Sequence, residues 1–259
     1  MKDNKIKKNI SGRYLLPDTL RGALVIAMAV YHLLFDLYYL YDVNMPWFRN
    51  TGMRIFQTLI LAGFVSISGF CFSWGKRKLF RAAQVFVCGI IITVVTWIFM
   101  PSQRIVFGVL TCLSICMLLM IPLEKTLSKI PPVVGSILFF TAALLTYGVR
   151  SGYIGIYTHP LFELPDFLYS TDFLFPLGFK NASFRSSDYV PLFPWLFLYI
   201  SGFFTSLAVR QSQKATALLH FGSKPLAAVG RYSLWIYLVH QPLIYGILWV
   251  IFKMIRKDG

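Results

Sequence analysis

The sequence predicts an all-α polytopic transmembrane helix bundle of about seven spans, with one longer ordered extracytoplasmic loop. Of 259 residues 57% are apolar and 14% charged, and the mean hydropathy is +0.65. A water-soluble domain could not hide that much apolar surface. The apolar residues also fall into runs of about 20, the length that crosses a bilayer core. Finally, 25 Lys and Arg face 10 Asp and Glu, a net charge of +15. The cations lie in short runs between apolar stretches, a pattern of cytoplasmic loops rather than of a nucleic-acid-binding face.

Taken in order, the spans are expected near residues 19–40, 53–74, 80–100, 104–122, 133–150, 191–209 and 230–253, in one membrane domain covering 1–259. The first run exceeds a signal-peptide core and no small-residue cleavage site follows it, so it is expected to stay as the first span. Lys2, Lys5, Lys7, Lys8 and Arg13 precede it, and Lys76, Arg77, Lys78 and Arg81 follow the second span. Lys125, Lys129, Arg210, Lys214 and Lys224 fall on the same side, which the positive-inside rule makes cytoplasmic, the N-terminus included. Seven spans then leave Lys253, Arg256 and Lys257 outside, a local exception that the earlier loops outweigh. Residues 151–190 form the one long connection, rich in Tyr153, Tyr157, His159, Asp166, Tyr169, Asp172 and Asp188. It reads equally as an aromatic cap suited to sugars or as an interfacial aromatic belt.

Ionisable groups inside spans are costly, so each must face a partner, a cavity or water. His32 and Asp36, four residues apart, share one helix face, where a carboxylate could orient an imidazole as a general base. A satisfied polar contact between helices explains the same pair. Pro17 and Asp18 read as a turn and N-cap, with Arg21 and Gly22 one turn on. Arg21 either snorkels to lipid phosphate or meets an anionic ligand at the helix start. In the last span, Arg231 and Ser233 mark the cytoplasmic end, while His240 and Gln241 lie deep beside Pro242, which frees a carbonyl. His240 suits a ligand contact or a packing role. Asp188 and Trp195 flank the start of the sixth span and could line an outward mouth, as could Arg104. Cys71, Cys88, Cys112 and Cys116 all lie in apolar runs and read as small buried hydrophobes, so no metal site is expected.

Three segments together resemble a known family: DTLRGALVIAMAVYHLLFDL from Asp18, SSDYVPLFPWLFLYISG from Ser186 and GRYSLWIYLVHQPLI from Gly230. With FGVL at Phe107, they are similar to bacterial membrane proteins related to heparan-alpha-glucosaminide N-acetyltransferase, within the wider acyltransferase-3 group. The resemblance spans almost the whole chain. It implies a cell-membrane acetyltransferase that takes acetyl-CoA from the cytoplasm and acetylates an amine or hydroxyl of an extracytoplasmic sugar or glycan. It also implies that Asp18, Arg21, Gly22 and His32 belong to the active centre, and that the chain forms a homodimer in the lipid bilayer. On this reading His32 and Asp36 are catalytic, Asp18, Arg21, Gly22, Arg231 and Ser233 hold the acyl donor, and Asp188, Trp195, His240 and Gln241 contact the acceptor. A proton-coupled transporter or an inactive membrane scaffold would share the hydropathy and the buried His and Asp, but no internal repeat of the transporter kind is visible.

Overall fold

The computed structural model describes residues 14–156 and 159–257. Lys2, Lys5, Lys7, Lys8, Arg13 and Tyr157 lie outside the described residues, as do the side chains of Arg256 and Lys257. The α-helices among the described residues are α1 (Leu15–Tyr39), α2 (Thr51–Phe72), α3 (Lys78–Phe99), α4 (Val109–Leu127), α5 (Pro132–Leu145), α6 (Leu192–Arg210), α7 (Gln213–Leu218), α8 (Lys224–Arg231) and α9 (Ser233–Lys257). Seven are long and apolar enough to cross a membrane: α1 to α6 and α9, with α5 extended by a 3₁₀ turn over Thr146–Ser151. The chain is a multi-pass membrane protein. Loops at one end of the bundle carry Lys76, Arg77, Lys125 and Arg210, and this is called the basic end below; the 151–190 connection caps the loop end.

Three helix starts differ from the sequence expectation, each for a local reason. Helix α1 begins at Leu15, so Asp18 lies within its first turn and is not the N-cap. Pro17 is tolerated there because first-turn N–H groups have no helical partner to lose. Helix α4 begins at Val109 rather than near 104 because Phe107 takes a left-handed backbone, φ 59°. Side chains satisfy the backbone before it: Ile105 N donates to Thr96 Oγ1 at 3.0 Å and Val106 N to Ser186 Oγ at 2.9 Å. The last span begins at Ser233, because the helix breaks at Tyr232 and Gly230 and Arg231 close the separate helix α8.

Among its described residues the capping connection includes a small two-stranded antiparallel hairpin, β1 (Tyr153–Ile156) with β2 (His159–Glu163), inside an otherwise helical fold. Gly152, at φ 93°, turns the chain from the 3₁₀ segment into β1, a conformation other residues adopt at a cost. Phe175 and Phe184 stack 5.0 Å apart beneath it, and the Tyr189 hydroxyl donates to the Phe175 carbonyl.

In lipid, apolar side chains gain little by leaving their surroundings for one another, so helices associate through close backbone approach. Two crossings do this. Where α1 meets α8, a Cβ on Gly22 would stand 2.0 Å from the Leu226 carbonyl oxygen, and one on Gly230 would stand 1.9 Å from that of Asp18. Where α2 meets α6, a Cβ on Gly69 would stand 2.0 Å from the Tyr199 oxygen, and one on Gly202 2.3 Å from the Ser66 oxygen. Helix α6 is the most enclosed span, and its Tyr199, Phe203 and Phe204 are fully buried with Cys112, Cys116 and Met120 of α4.

Gly230→Ala and Gly22→Ala are therefore expected to destabilise the purified protein by roughly 1–3 kcal/mol or more, the usual cost of overpacking a rigid contact. Gly246→Ala, whose added Cβ would meet nothing within 4 Å, should leave thermal unfolding unchanged or slightly raise its midpoint. Equal behaviour of all three variants would dismiss the α1–α8 crossing as a stability determinant.

Candidate functional site

The site starts at the α1–α8 crossing. Asp18 is buried (3% exposed), and its carboxylate meets two cations: Arg21 Nη1 at 3.0 Å and Arg231 Nε at 3.8 Å. Thr19 fixes the same junction, since its hydroxyl receives the Ser223 N–H at 3.1 Å. Asp18 thus binds both guanidiniums, and Gly22 lets their helices touch. These two residues act on the site through Arg21 and Arg231, because the cavity described next is walled by the arginines and not by Asp18 or Gly22.

A cavity of about 300 Å³ opens from the basic end between α1, α2, α3, α4, α6 and α9. Arg21, Lys78, Arg81 and Arg231 are on its wall, with Ser233 at the start of α9. Lys76 and Arg77, neighbours of these cations in sequence, are not. Lys78 is tied to Glu124 of α4. Farther in, the wall is made by Ser68, Cys71, Phe72 and Tyr199, then by Val109, Leu110 and Tyr237. Four cations around one opening, backed by a largely apolar interior, suit a ligand with anionic groups at one end and a neutral arm. Cys71 departs from the expectation of a purely packing cysteine. It is only half-buried, and Arg21 Nη2 donates to its sulfur at 3.1 Å.

Tyr237 joins this cavity to the deepest polar cluster. Its carbonyl lies 2.6 Å from His240 Nδ1. A carbonyl can only accept, so Nδ1 carries the hydrogen and the neutral ring presents its lone pair at Nε2. That Nε2 is buried and has no hydrogen-bond partner among the described residues. The His240 ring faces that of His32 in α1, with centroids 4.8 Å apart. Asp36 is 1% exposed and receives both its side-chain hydrogen bonds from Gln241 Nε2, at 2.8 and 3.0 Å. Two helices thus assemble the cluster in register, His32 against His240 and Asp36 against Gln241. Asp36 is anchored across the helix pair by Gln241, whereas helical spacing alone pointed to His32. Helix α9 stays continuous through Pro242.

A second, smaller cavity of about 10 Å³ lies toward the loop end. Val109, Leu110 and Tyr237 wall both cavities, and Asp188 closes the outer one together with Gly89 and Gly108. The two cavities thus succeed one another as a column, the larger behind the four cations and the smaller beside the Asp188 carboxyl, with Tyr237 on the wall of both; His32, Asp36, His240 and Gln241 wall neither. Burial raises the Asp188 carboxyl to about 6, opposed by the Val109 N–H at the first residue of α4, which bonds the charged form. Trp195 is buried in the aromatic core of α6 and walls neither cavity. Arg104 donates to the Arg185 carbonyl at 3.4 Å and lies outside both cavities.

Of the sequence-derived residues, the structure brings Arg21, Arg231 and Ser233 to one cavity, Asp188 to the other, and His32, Asp36, His240 and Gln241 to one cluster. Sequence reasoning missed Ser68, Cys71, Tyr199 and Tyr237. Cys71 and the tyrosines look like core or belt residues in a hydropathy profile, and their spacing carries no signal until the helices are packed. Among the described residues no group of three or more His, Cys, Asp or Glu is placed to hold a metal ion.

Comparison with known proteins gives one match. The catalytic-domain model of the heparan-alpha-glucosaminide N-acetyltransferase family matches residues 13–242. No curated protein and no solved structure matches.

The Asp188 carboxyl has a pH consequence. Its folded pKa of about 6 lies above the unfolded carboxylate value of about 3.9, so between the two the folded chain holds a proton that the unfolded chain has released. This contribution to stability is complete below the unfolded value and is lost as pH rises through about 6. Thermal unfolding in detergent from pH 4 to pH 7 should show the native protein losing stability relative to Asp188→Asn. Parallel curves would remove this carboxyl from the titration.

Proposed function

Because the chain belongs to the heparan-alpha-glucosaminide N-acetyltransferase catalytic family, we propose that this membrane acetyltransferase takes its acetyl group from acetyl-CoA at the basic end. It delivers the group to an amine or hydroxyl of a sugar or glycan at the loop end. The basic end, with the N-terminus, then faces the cytoplasm. The observation that supports this reading is the pair of adjoining cavities: four cations around the opening of the larger, Tyr237 on the wall of both, and His240, paired with His32, held by the carbonyl of that same Tyr237.

Arg21, Arg231, Lys78 and Arg81 hold the phosphates, with Asp18 fixing the two arginines in place. Such charge-assisted contacts are the strong ones. His32 follows Arg21 by about 16 Å along α1 at the helical rise, a separation that an extended pantetheine arm covers. A thioester is already activated, so the protein must align the acceptor with the carbonyl carbon and take up one proton as the new bond forms. His32 and His240 are the groups for that proton. The His240 Nδ1 bond to the Tyr237 carbonyl keeps Nε2 available as a base, and the proton passes back to the departing CoA thiolate. Asp36, tied to Gln241, fixes α1 against α9 at the depth of the two rings. Asp188 faces the acceptor side.

Calorimetry with CoA and acetyl-CoA on detergent-purified protein tests the donor half of this reading. Micromolar binding is expected, weakened about tenfold or more by Arg21→Ala, as loss of a charge-assisted contact implies, and spared by His32→Ala. Acetyl transfer should be lost in His32→Ala and in His240→Ala. Native protein that is folded and binds neither compound would remove the acetyl-CoA assignment and return the chain to the transporter or scaffold alternatives.

A further inference from the structure

The buried hydroxyl of Tyr199 is poorly used in the fold. Tyr199 is 0% exposed, and its ring packs on Phe72 with centroids 6.1 Å apart, so the aromatic part is fully used. Its oxygen is buried and has no well-formed hydrogen bond among the described residues; Ser68 is the polar side chain close enough to interact with it. Phenylalanine would fill the same space without stranding a polar atom, and an unpaired buried hydroxyl costs stability. The residue also forms part of the wall of the larger cavity, with Ser68 and Cys71. Its position along the column is fixed by the α2–α6 crossing, where the Tyr199 carbonyl is level with Gly69. Gly69 lies one turn inside the basic end of α2, close to Cys71 and hence to Arg21. Tyr199 therefore lies about one turn inside the basic end, near the cations.

We propose that the Tyr199 hydroxyl, with Ser68, is a binding site for an amide carbonyl in the neutral arm of the ligand whose anionic end the cations hold. This rests on the assignment of the cavity to CoA, whose pantetheine arm carries two amides between its phosphates and its sulfur. A phenol O–H donates to a carbonyl oxygen, which only accepts, so the pairing satisfies the stranded hydroxyl when the ligand is present. Tyr199 is a positioning residue: it sets how far along the column the arm lies, and it does not touch the reacting thioester. The thioester carbonyl would instead lie beyond Tyr237, near His240.

Tyr199→Phe separates these possibilities, with CoA and acetyl-CoA as the probes. Without ligand, the variant should unfold at the same temperature as the native protein or slightly higher, because it loses only a poorly satisfied group beside Ser68. Its affinity for both probes should fall by roughly tenfold, the worth of one buried hydrogen bond, and by the same factor for each. N-ethylmaleimide reports the place of binding, since Cys71 is the half-buried thiol on this wall while Cys88, Cys112 and Cys116 are buried. Either probe should slow Cys71 alkylation in the native protein, and about ten times more of it should be needed in the variant. Unchanged affinity would overturn the Tyr199 assignment alone. Weakening confined to acetyl-CoA would overturn it as well, by moving the hydroxyl to the thioester. Native protein that binds neither probe and shows no protection of Cys71 would overturn the CoA reading, and this proposal with it.

Discussion

The contact on which the rest depends is backbone against backbone, at Gly22 of α1 and Gly230 of α8. Within a membrane the helices cannot be driven together by expelling water, and close packing takes over that role. A glycine on each partner brings the Asp18 and Leu226 carbonyls within reach of the opposite Cα positions. No side chain can stand between them, so the two helices have little freedom to slide. The register set here then propagates along α1 and α9 as a pair. Arg21 and Arg231 converge on Asp18 at the crossing, His32 meets His240 farther along, and Asp36 meets Gln241 about a turn beyond that.

The second crossing, Gly69 and Gly202 between α2 and α6, does for the opposite wall what the first does for α1 and α9. It presses the most buried span against α2 and fixes the depth of Tyr199. The column of space lies between these two rigid contacts. Its wall from α4 is held by the core around Cys112, Cys116 and Met120. The break at Tyr232 matters for the same reason. An uninterrupted helix from Lys224 onward would not carry Arg231 back over Asp18 while sending His240 to His32.

The seven spans were legible because membrane solvation imposes a length and a composition that no other environment requires. The ionisable residues in the spans were legible too, since their cost demands an explanation. Partnership was not. Four-residue spacing joins Asp36 to His32 on a single helix, yet the hydrogen bond comes from Gln241 on another, and one chain segment cannot display a contact between two helices. Tyr199 and Tyr237 were invisible for a different reason: hydropathy treats them as core or interfacial aromatics, and only the packed helices show them on a cavity wall, Tyr237 with its carbonyl on His240. The Tyr232 break leaves no mark because apolar character runs straight through it. The hairpin of the cap was missed because the segment has the Pro and aromatic content of irregular loops as well as of strands.

The unpaired atoms at the deep cluster define the polarity that it presents. Gln241 Nε2 must donate to the Asp36 carboxylate, which leaves Gln241 Oε1 as an acceptor, and that atom is buried without a partner among the described residues. His240 Nδ1 must donate to a carbonyl, which leaves Nε2 as an acceptor in the neutral ring, likewise buried without a partner among the described residues. Both stranded atoms, on adjacent residues, call for a hydrogen-bond donor. On the proposed function an acceptor amine or hydroxyl supplies such a donor, and transfer of its hydrogen is the step that acylation requires. The lone pairs of the deep cluster would then suit the group that must give up a proton, and the cations at the basic end the anionic end of the acyl donor.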